Sequence, residues 1–494
     1  MRKPLIWIFM LLVFATTIHA QTLTDAVRYS QLTPGSTARA IGAGGSFGAM
    51  GGDFGVLSIN PAGLADYKSS ELVFSFSVNS GETNSFLRNA GSLTTQHNNE
   101  LNFENLGFVF QSGTRNSDLK SSAFSIGLLQ YANYTENFGF AGATQGTIIE
   151  RFIELADGRS PDELDDFEAG LAYESGAIYD DKEDRLYEAD IDSFRTVFKK
   201  QDVTRSGKMN ELVFAWAGRF SNDLAIGIGI GVPFISFEED KTYQEIDIDN
   251  EIPIFNDLSY IERLNTSGTG INFKLGLNYM IENTVRLGLA YQSPTFFRMS
   301  DSYFTAMNYD CEVCNLNGEF VESPDGYFEY RLKTPMRLTG SIGTLIKGSK
   351  VKGFLNMDVH YLNYTANTFN LTAYSNNPLE LDYEREVNGE IDRQLQSAFN
   401  FNIGGELAFD RFRVRSGISF VGSPYYVDGS AEYDRIYSIG GGIRGDRVFL
   451  DLAYQYRNAT EGYIPYRILV TDRQQLVNNE STVSRFIVTL GYKI

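Results

Sequence analysis

The chain has 494 residues and a formal net charge of −20, and 14% of its residues are aromatic. The acidic balance excludes a nucleic-acid-binding protein, because such a protein needs a basic surface to displace counterions from phosphate. The mean hydropathy of −0.21, with one long apolar run at the N-terminus, excludes a bundle of membrane-spanning helices, each of which needs about 20 apolar residues.

Residues 1–20 have the features of a secretory signal peptide. Arg2 and Lys3 precede an apolar run from Leu5 to Phe14, and Ala20 is a small residue suited to cleavage. The alternative, a membrane-anchor helix, is disfavoured because the run is too short to cross a bilayer. We therefore expect the mature chain to leave the cytoplasm.

Beyond residue 70 the sequence alternates apolar and polar residues with a period of two. In the plainest case, residues 224–232, the isoleucines lie on one face of a strand and the glycines on the other. Fourteen such strands are predicted, and an even number is typical of closed barrels in bacterial outer membranes. The predicted strands lie near residues 71–79, 101–111, 120–131, 209–220, 224–236, 267–279, 285–297, 327–346, 351–364, 396–409, 412–423, 435–444, 447–457 and 484–494.

The connections between these strands alternate between short and long. The short ones include residues 221–223, 410–411 and 445–446, and the long ones include 80–100 and the acidic, partly helical segment 132–208. A transmembrane barrel places its tight turns at one end and its long loops at the other, whereas a secreted β-sandwich or propeller, the alternative, need not do so. The sequence therefore predicts an all-β, 14-stranded antiparallel transmembrane β-barrel over residues 71–494, in the bacterial outer membrane, with extracellular long loops.

Residues 35–78 contain a glycine-rich stretch, the triplet Asn60-Pro61-Ala62 and an alternating first strand. This segment resembles the N-terminal region of the FadL/TodX family of outer-membrane transporters of long-chain fatty acids and other hydrophobic compounds. Residues 269–279 and 286–291 resemble the family as well, and so do residues 333–340 and 358–364, so the resemblance runs through most of the chain. The barrel of that family also has fourteen strands.

The resemblance implies that residues 21–70 form a hatch, or plug, inside the barrel. It further implies a hydrophobic pocket next to the hatch and lateral release of the ligand through a kink in the third strand. In this chain the third strand would be 121–131, where the alternation lapses at Leu128 and Leu129. That lapse marks either the kink or a misplaced register.

The residues themselves also favour a hatch. Pro61 has a fixed φ and biases Asn60 toward an extended backbone, which suits a compact turn motif at Asn60, Pro61 and Ala62. Glycines permit sharp turns and close approach to the barrel wall. The predicted hinge and turn glycines are Gly42, Gly44, Gly45, Gly48, Gly51 and Gly52. A dinucleotide-binding loop, the competing interpretation of residues 42–48, is disfavoured because its third glycine is misplaced.

An amphiphilic acid would need a cation for its head group and apolar side chains for its tail. The candidate cations are Arg39 in the hatch and the lumen-facing residues Lys274, Arg286 and Arg337. The candidate tail contacts are Phe47, Met50, Phe54 and Leu57. The alternatives are that these cations pair with the lumenal carboxylates Glu211, Asp358, Glu406 and Asp451, and that the apolar residues only pack the hatch.

We predict no enzymatic activity, no cofactor and no metal site. Asp358 and His360 share one face of a strand and could form an acid–base pair, but neither a G-x-S-x-G nor an H-E-x-x-H motif accompanies them. Cys311 and Cys314 lie in a predicted outer loop, where a local disulfide is favoured over a metal or redox role.

The sequence thus predicts a monomeric channel for passive uptake of hydrophobic molecules, long-chain fatty acids foremost, surrounded by outer-membrane lipid and lipopolysaccharide and without a nucleic-acid partner. The acidic run at 180–185 could also reach lipopolysaccharide through divalent cations. One alternative is a non-transporting surface barrel whose extracellular loops bind partners. A general water-filled porin is another.

Overall fold

The computed structural model describes residues 22–33, 37–113, 118–312, 319–375, 377–426, 433–469 and 474–494. Within these residues fourteen strands pair antiparallel with their chain neighbours, and the first also pairs with the last, which closes the barrel. The predicted fold is confirmed. The strands are β1 Glu71–Leu87, β2 Leu93–Ser112, β3 Leu119–Asn133 continued by Glu136–Gln145, β4 Thr196–Phe220, β5 Leu224–Ile246, β6 Phe255–Ile281, β7 Val285–Gln292 continued by Phe296–Cys311, β8 Glu319–Glu322 continued by Gly326–Lys333 and Arg337–Lys347, β9 Lys352–Asn363, β10 Ser397–Phe409, β11 Phe412–Gly422, β12 Tyr433–Arg444, β13 Val448–Tyr463 and β14 Val477–Lys493.

The two faces of the strands have opposite chemistry. Outward positions such as Ile228 and Leu275 are 49% and 52% exposed, whereas their neighbours Asn272 and Lys274 are buried on the inner side. Apolar residues face outward because lipid, not water, covers that surface, and closure of the sheet leaves no unpaired backbone edge in hydrocarbon. This arrangement is that of a bacterial outer-membrane barrel.

Helices are few and short. They are α1 Leu23–Arg28, α2 Ala38–Gly42, α3 Ile149–Ala156, α4 Ala169–Glu174 and α5 Pro378–Gln394. No helix among the described residues is long and apolar enough to cross a membrane. In the segment 132–208, which the sequence predicts to be partly helical, Ile149–Ala156 and Ala169–Glu174 form helices and Pro161–Glu163 forms a single 3₁₀ turn.

The strands extend farther at the long-loop end than the sequence predicts. The long loop predicted at 80–100 is wrong, because β1 and β2 run through this region and pair up to Phe86 and Leu93. Outward residues there, such as Glu82 and His97, are polar, so the hydrophobic alternation that marks the membrane-spanning parts fades while the pairing continues.

Three prolines interrupt β5, β7 and β8 at one level of the wall. Pro233 of β5 lies between the paired positions Gly231 and Phe234 of the β5–β6 ladder. Pro294 separates the two parts of β7, and Pro335 separates two parts of β8. Proline has no N–H to donate to a ladder, so each of these residues breaks the regular pairing. Two hydrogen bonds between Thr295 and Thr334 bridge the breaks in β7 and β8. The N–H of Thr295 donates to the hydroxyl of Thr334 at 3.2 Å, and the N–H of Thr334 donates to the carbonyl of Thr295 at 3.0 Å.

The wall is also discontinuous between β2 and β3. The β2–β3 ladder begins at the pair Ser112 and Ser122 and ends at the pair Asn105 and Leu129. A register shift between Gln130 and Ala132 in the β3–β4 ladder follows at once. The second part of β3 pairs with β4 alone. The backbone of β3 therefore departs from β2 directly after Leu128 and Leu129, where the alternation lapses.

Candidate ligand-binding site within the barrel

The N-terminal segment, residues 22–33 and 37–67, packs against lumen-facing residues around the barrel. Thr37 caps α2 by accepting from the N–H of Ala40 at 3.1 Å, which sets the direction of Arg39. Arg39 donates to both carboxylate oxygens of Glu406 on β10, at 2.9 and 3.1 Å, and to the carbonyl of Gly52 at 2.9 Å. Such a bidentate pair fixes both position and orientation.

Glu406 belongs to a larger charge network on the inner wall. Arg415 donates to Glu406 at 2.6 Å and forms an ion pair with Asp451 at 2.7 Å, and Arg444 donates to Asp451 at 2.7 Å. A buried charge is tolerated when it is paired and hydrogen-bonded, as each of these is. The network ties the N-terminal segment to β10, β11, β12 and β13.

The middle of the segment is held through its backbone. The N–H groups of Phe47 and Gly48 donate to the carboxylate of Asp358 on β9, at 2.8 and 3.0 Å. Asn60 caps the following 3₁₀ turn by accepting from the N–H of Ala62 at 3.1 Å, and its amide donates to the carbonyl of Gly48 at 2.7 Å. The triplet at residues 60–62 is thus a turn motif that also binds the preceding loop.

Glycines of the wall allow the segment to approach the strands closely. A side chain at Gly404 or Gly417 would collide with the backbone at residues 43–44, and one at Gly107 or Gly127 would collide with the ring of Phe54. Lumen-facing glycines therefore provide the space that the segment occupies.

The predicted turn glycines divide into two groups. Gly44, Gly45 and Gly52 have φ values of +67°, +66° and +68°, a conformation that favours glycine. Gly48 and Gly51 have ordinary φ values but lie where a side chain would collide with Ser341 and Asp66. Gly42 lies close to Gly440 of β12. A Cβ atom at position 42 would lie 3.2 Å from the Cα of Gly440.

The segment ends at an ion pair near the short-turn end. Arg286 of β7 donates to the two carboxylate oxygens of Asp66 at 2.6 and 3.3 Å, and Arg219 of β4 pairs with the same carboxylate. Arg286, predicted as a ligand cation, is thus occupied by a carboxylate of the chain itself.

A small cavity, with room for about one water molecule (about 10 Å³), lies between residues 29–32 and the wall at the level of the proline breaks. Typical small-molecule sites have volumes of about 300–1,000 Å³, so a ligand can occupy this cavity only if residues 29–32 move away from the wall. The apolar part of its lining is made by Tyr29, Leu32, Met209, Pro233, Phe297 and Leu362, and the polar part by Tyr131, Glu211, Asn272, Gln292 and Arg337. A second cavity of similar small size shares Gln292 and Arg337 with the first and is also lined by Lys274.

Arg337 differs from the other predicted cations. It donates to the side chain of Gln292 at 2.8 Å and to the carbonyl of Ser58, and no carboxylate of the described residues lies within 4 Å of its guanidinium. Lys274, by contrast, pairs with Glu211 and donates to the hydroxyl of Tyr131 at 2.7 Å. Among the four predicted cations and within the described part of the chain, Arg337 is the one without a carboxylate.

The apolar residues predicted as tail contacts do not line this cavity. Phe47 packs edge-on against Phe354 at 5.2 Å between ring centroids, Phe54 fills the space above two wall glycines, and Met50 lies against Gly343. Leu57 is fully buried. The apolar lining residues could have been sought near Pro233 and Pro335, because prolines inside strand patterns mark breaks in the wall.

The cavity reaches the place where β2 and β3 separate. Thr33 donates to the carbonyl of Tyr131 through its N–H at 2.9 Å and its hydroxyl at 2.7 Å. These bonds satisfy a backbone oxygen of β3 that no longer pairs with β2. Residues 29–33 therefore lie where the β2–β3 ladder ends, and one wall of the cavity lies there too.

His360, Asp358 and the two cysteines are the residues that the sequence suggests for catalysis, metal binding or a disulfide. His360 contacts Thr339 through Nδ1 at 2.9 Å and Asn402 through Nε2 at 3.2 Å, while Asp358 binds the N-terminal segment, so the described contacts do not form an acid–base pair. No group of three metal-ligating side chains occurs among the described residues. Cys311 ends β7 and is buried, but Cys314 lies outside the described residues, so the local disulfide stays a prediction.

Comparison with solved structures identifies proteins of the same architecture. A FadL homologue of Pseudomonas aeruginosa is 11% identical, with a TM-score of 0.53, over 94% of this chain and 99% of that one. The toluene transporter TodX of Pseudomonas putida is also 11% identical, with a TM-score of 0.52 over the same shares. No protein-family profile and no curated protein sequence matches the chain. At this identity the likeness establishes the fold: the chain has the barrel fold of the FadL and TodX structures, as the sequence resemblance predicts.

Proposed function

We propose that this protein is a passive uptake channel for hydrophobic molecules, long-chain fatty acids foremost, which acts as a monomer in the outer membrane. The observation that carries the proposal is the partly apolar cavity beside Arg337, which has no carboxylate partner among the described residues. A carboxylate head group fits Arg337, because a guanidinium offers two parallel N–H donors to a carboxylate. The apolar lining suits the adjoining part of an acyl chain.

The N-terminal segment acts as the hatch in this proposal. Its ion pairs and its close approach to wall glycines support a role in closing the bore to water. A barrel of fourteen strands is too wide for wall side chains alone to fill it. The separation of β2 and β3 next to the cavity supports a lateral exit into the membrane, at the side of the barrel rather than through its short-turn end.

The head-group assignment is tested by uptake of radiolabelled oleate and of toluene in a strain that lacks its own transporters for them. Arg337→Gln should lower oleate uptake about tenfold, because one charge-assisted pair is lost, and Arg337→Lys should retain part of it. Toluene has no anionic head group, so its uptake should stay the same. The matched control is Arg435→Gln, which removes an exposed arginine on the outer face of β12. Equal oleate uptake by the glutamine variant and the original protein would refute the assignment.

The exit is tested with a photoreactive side chain at position 101. Leu101 is 72% exposed on the stretch of β2 that has no β3 partner. A residue there should cross-link fatty acid that is supplied from outside. The same side chain at position 289, on the outer face of β7, should cross-link far less. Equal yields at both positions would contradict release between β2 and β3.

A second candidate function is a non-transporting surface barrel that binds partners through its long loops. The observation that favours it is a separate apolar core at the long-loop end, which includes Phe152 of α3 and Ala172 of α4 together with Tyr260 of β6. Such a core gives the β3–β4 loop a defined outer surface. Absence of uptake of any hydrophobic compound, with the barrel correctly folded, would favour this function.

A further inference from the structure

Three cations form a group on the outer face of the barrel, which we call the cationic patch: Arg298 of β7 and Arg331 and Lys333 of β8. All three side chains are exposed. Arg298 and Arg331 are direct cross-strand partners, and Lys333 is the partner of Phe296. The patch is local and net positive in a chain whose net charge is −20.

The cationic patch begins where the apolar outer band ends. Phe296, 56% exposed, pairs with Ile271 on β6, and below Ile271 the outward residues of that strand are apolar. The next outward residue of β7 toward the long loops is Arg298, which pairs with Thr269 on β6. The patch therefore lies at the boundary between hydrocarbon and lipid head groups, on the long-loop side of the band.

The arrangement leaves positive charge without enough partners in the protein. Like charges directly opposite each other on paired strands are destabilising. Glu329 contacts Arg298 at 3.2 Å, but no carboxylate of the described residues lies within 4 Å of Arg331 or Lys333. The charge that remains at this boundary would be neutralised by an anion from outside the chain.

A tyrosine keeps the two arginines close to each other. The guanidinium carbons of Arg298 and Arg331 lie 4.9 and 5.2 Å from the centroid of the Tyr374 ring, which comes from the β9–β10 loop. Contact with the ring restricts both side chains. Arg331 also donates from Nε to the Tyr374 hydroxyl at 3.4 Å, and within the described residues its two Nη groups have no acceptor. Paired guanidinium groups held in this way are suited to bind phosphate oxygens.

We propose that the cationic patch binds the phosphorylated head group of lipopolysaccharide in the outer leaflet, with the acyl chains lying on the apolar band below. The proposal rests on the proposed orientation, in which the long loops are extracellular. It is independent of the cavity and of the acidic run at 180–185. Bound lipid would cover β7 and β8 and lower the repulsion between Arg298 and Arg331.

The test compares two triple variants with equal changes of charge. The patch variant is Arg298→Gln, Arg331→Gln and Lys333→Gln, and the control is Lys208→Gln, Arg263→Gln and Arg435→Gln, which removes exposed cations dispersed over other strands. Each purified protein is washed extensively in detergent, and lipopolysaccharide per barrel is measured by native mass spectrometry. The patch variant should retain at least about tenfold less than the original protein, and the control should match the original. Equal retention by the two triple variants would overturn the proposal.

Reconstitution identifies the source of the phosphate. Barrels are placed in nanodiscs that contain lipid A, dephosphorylated lipid A or phosphatidylglycerol, and bound lipid is counted after transfer to detergent. Only lipid A should remain bound, and only to proteins with the intact patch. Equal retention of phosphatidylglycerol or of the dephosphorylated lipid would contradict the assignment to lipopolysaccharide. Oleate uptake should be unchanged in the patch variant, so failure of the uptake proposal and failure of this one give different results.

Discussion

The two parts of the N-terminal segment are held in the barrel in different ways. Residues 37–67 are bound by ion pairs at both ends, by Asp358 in the middle and by close contact with wall glycines. Residues 22–33 are bound by packing of α1 against α5 and by the hydrogen bonds of Thr33 to Tyr131. Within the described residues the ion pair of α1, between Arg28 and Asp25, is internal to the helix.

Residues 37–67 therefore form an anchor, whereas residues 22–33 form a part that can be released. Breaking the anchor requires charged groups to be left unpaired in a buried environment, which is costly. Displacing residues 22–33 breaks no ion pair to the wall within the described residues; it loses apolar contacts, the contact of Arg28 with the Phe237 ring, and neutral hydrogen bonds that are each worth about 1 kcal/mol. The weakly held part also lines the cavity. We therefore expect ligand movement to involve residues 22–33, while residues 37–67 keep the bore closed.

The largest effect is expected from a side chain that displaces the anchor. Gly417→Leu places a side chain where the backbone of residues 43–44 lies, whereas Gly340→Leu, the matched control, meets nothing within 4 Å. Because a barrel of this size conducts when it is not filled, Gly417→Leu should raise conductance in planar bilayers by about tenfold or more. The control and the original protein should be nearly silent. A silent Gly417→Leu barrel that migrates as folded in unheated gels would contradict the role of the anchor.

A smaller effect is expected on stability from loss of the Arg39 ion pair. Arg39→Met leaves Glu406 paired with Arg415, so the loss is that of the charge-assisted hydrogen bonds from Arg39, about 1.5–3 kcal/mol. The control is Arg385→Met on α5, where the partner is Asp382 and both side chains are largely exposed, and where the cost should be below about 1 kcal/mol. Thermal unfolding of the two variants, followed by gel mobility, measures the difference. Equal transitions would show that the anchor does not depend on this pair.

The smallest effect is expected from Thr33→Val. The variant removes the hydroxyl bond to Tyr131 while the backbone N–H bond remains, a loss of about 1 kcal/mol. Hydrogen exchange in residues 22–33 should become faster, with exchange in residues 37–67 and the conductance unchanged. Equal acceleration in both parts would mean that the segment opens as one unit.

The fold could be predicted from the sequence because lipid enforces outward apolar residues at every second position. Beyond the lipid this constraint is lost, so the polar upper parts of β1 and β2 carry no alternation that distinguishes them from a loop. Helix α5 was also missed, although Asn377 before Pro378 is a standard helix start.

The site could be predicted only in part, because its selectivity depends on contacts between distant residues. Parity along the strands identified Arg337, Lys274 and Arg286 as lumen-facing. Which of them is neutralised depends on carboxylates far away in sequence, such as Asp66, which lies 220 residues from Arg286. Arg39 and Glu406 are separated by 367 residues. No local pattern encodes such pairs, so the cation without a carboxylate could be recognised only once the barrel had been closed.

The most direct test is a crystal structure of the protein soaked with a fatty acid brominated near its carboxyl end. Anomalous scattering locates the bromine without ambiguity. The account predicts a peak in the cavity between residues 29–32 and the proline breaks, with the carboxylate within hydrogen-bond distance of Arg337. Bromine found only on the outer surface of the barrel or among the long loops, with the cavity free of ligand, would contradict the account.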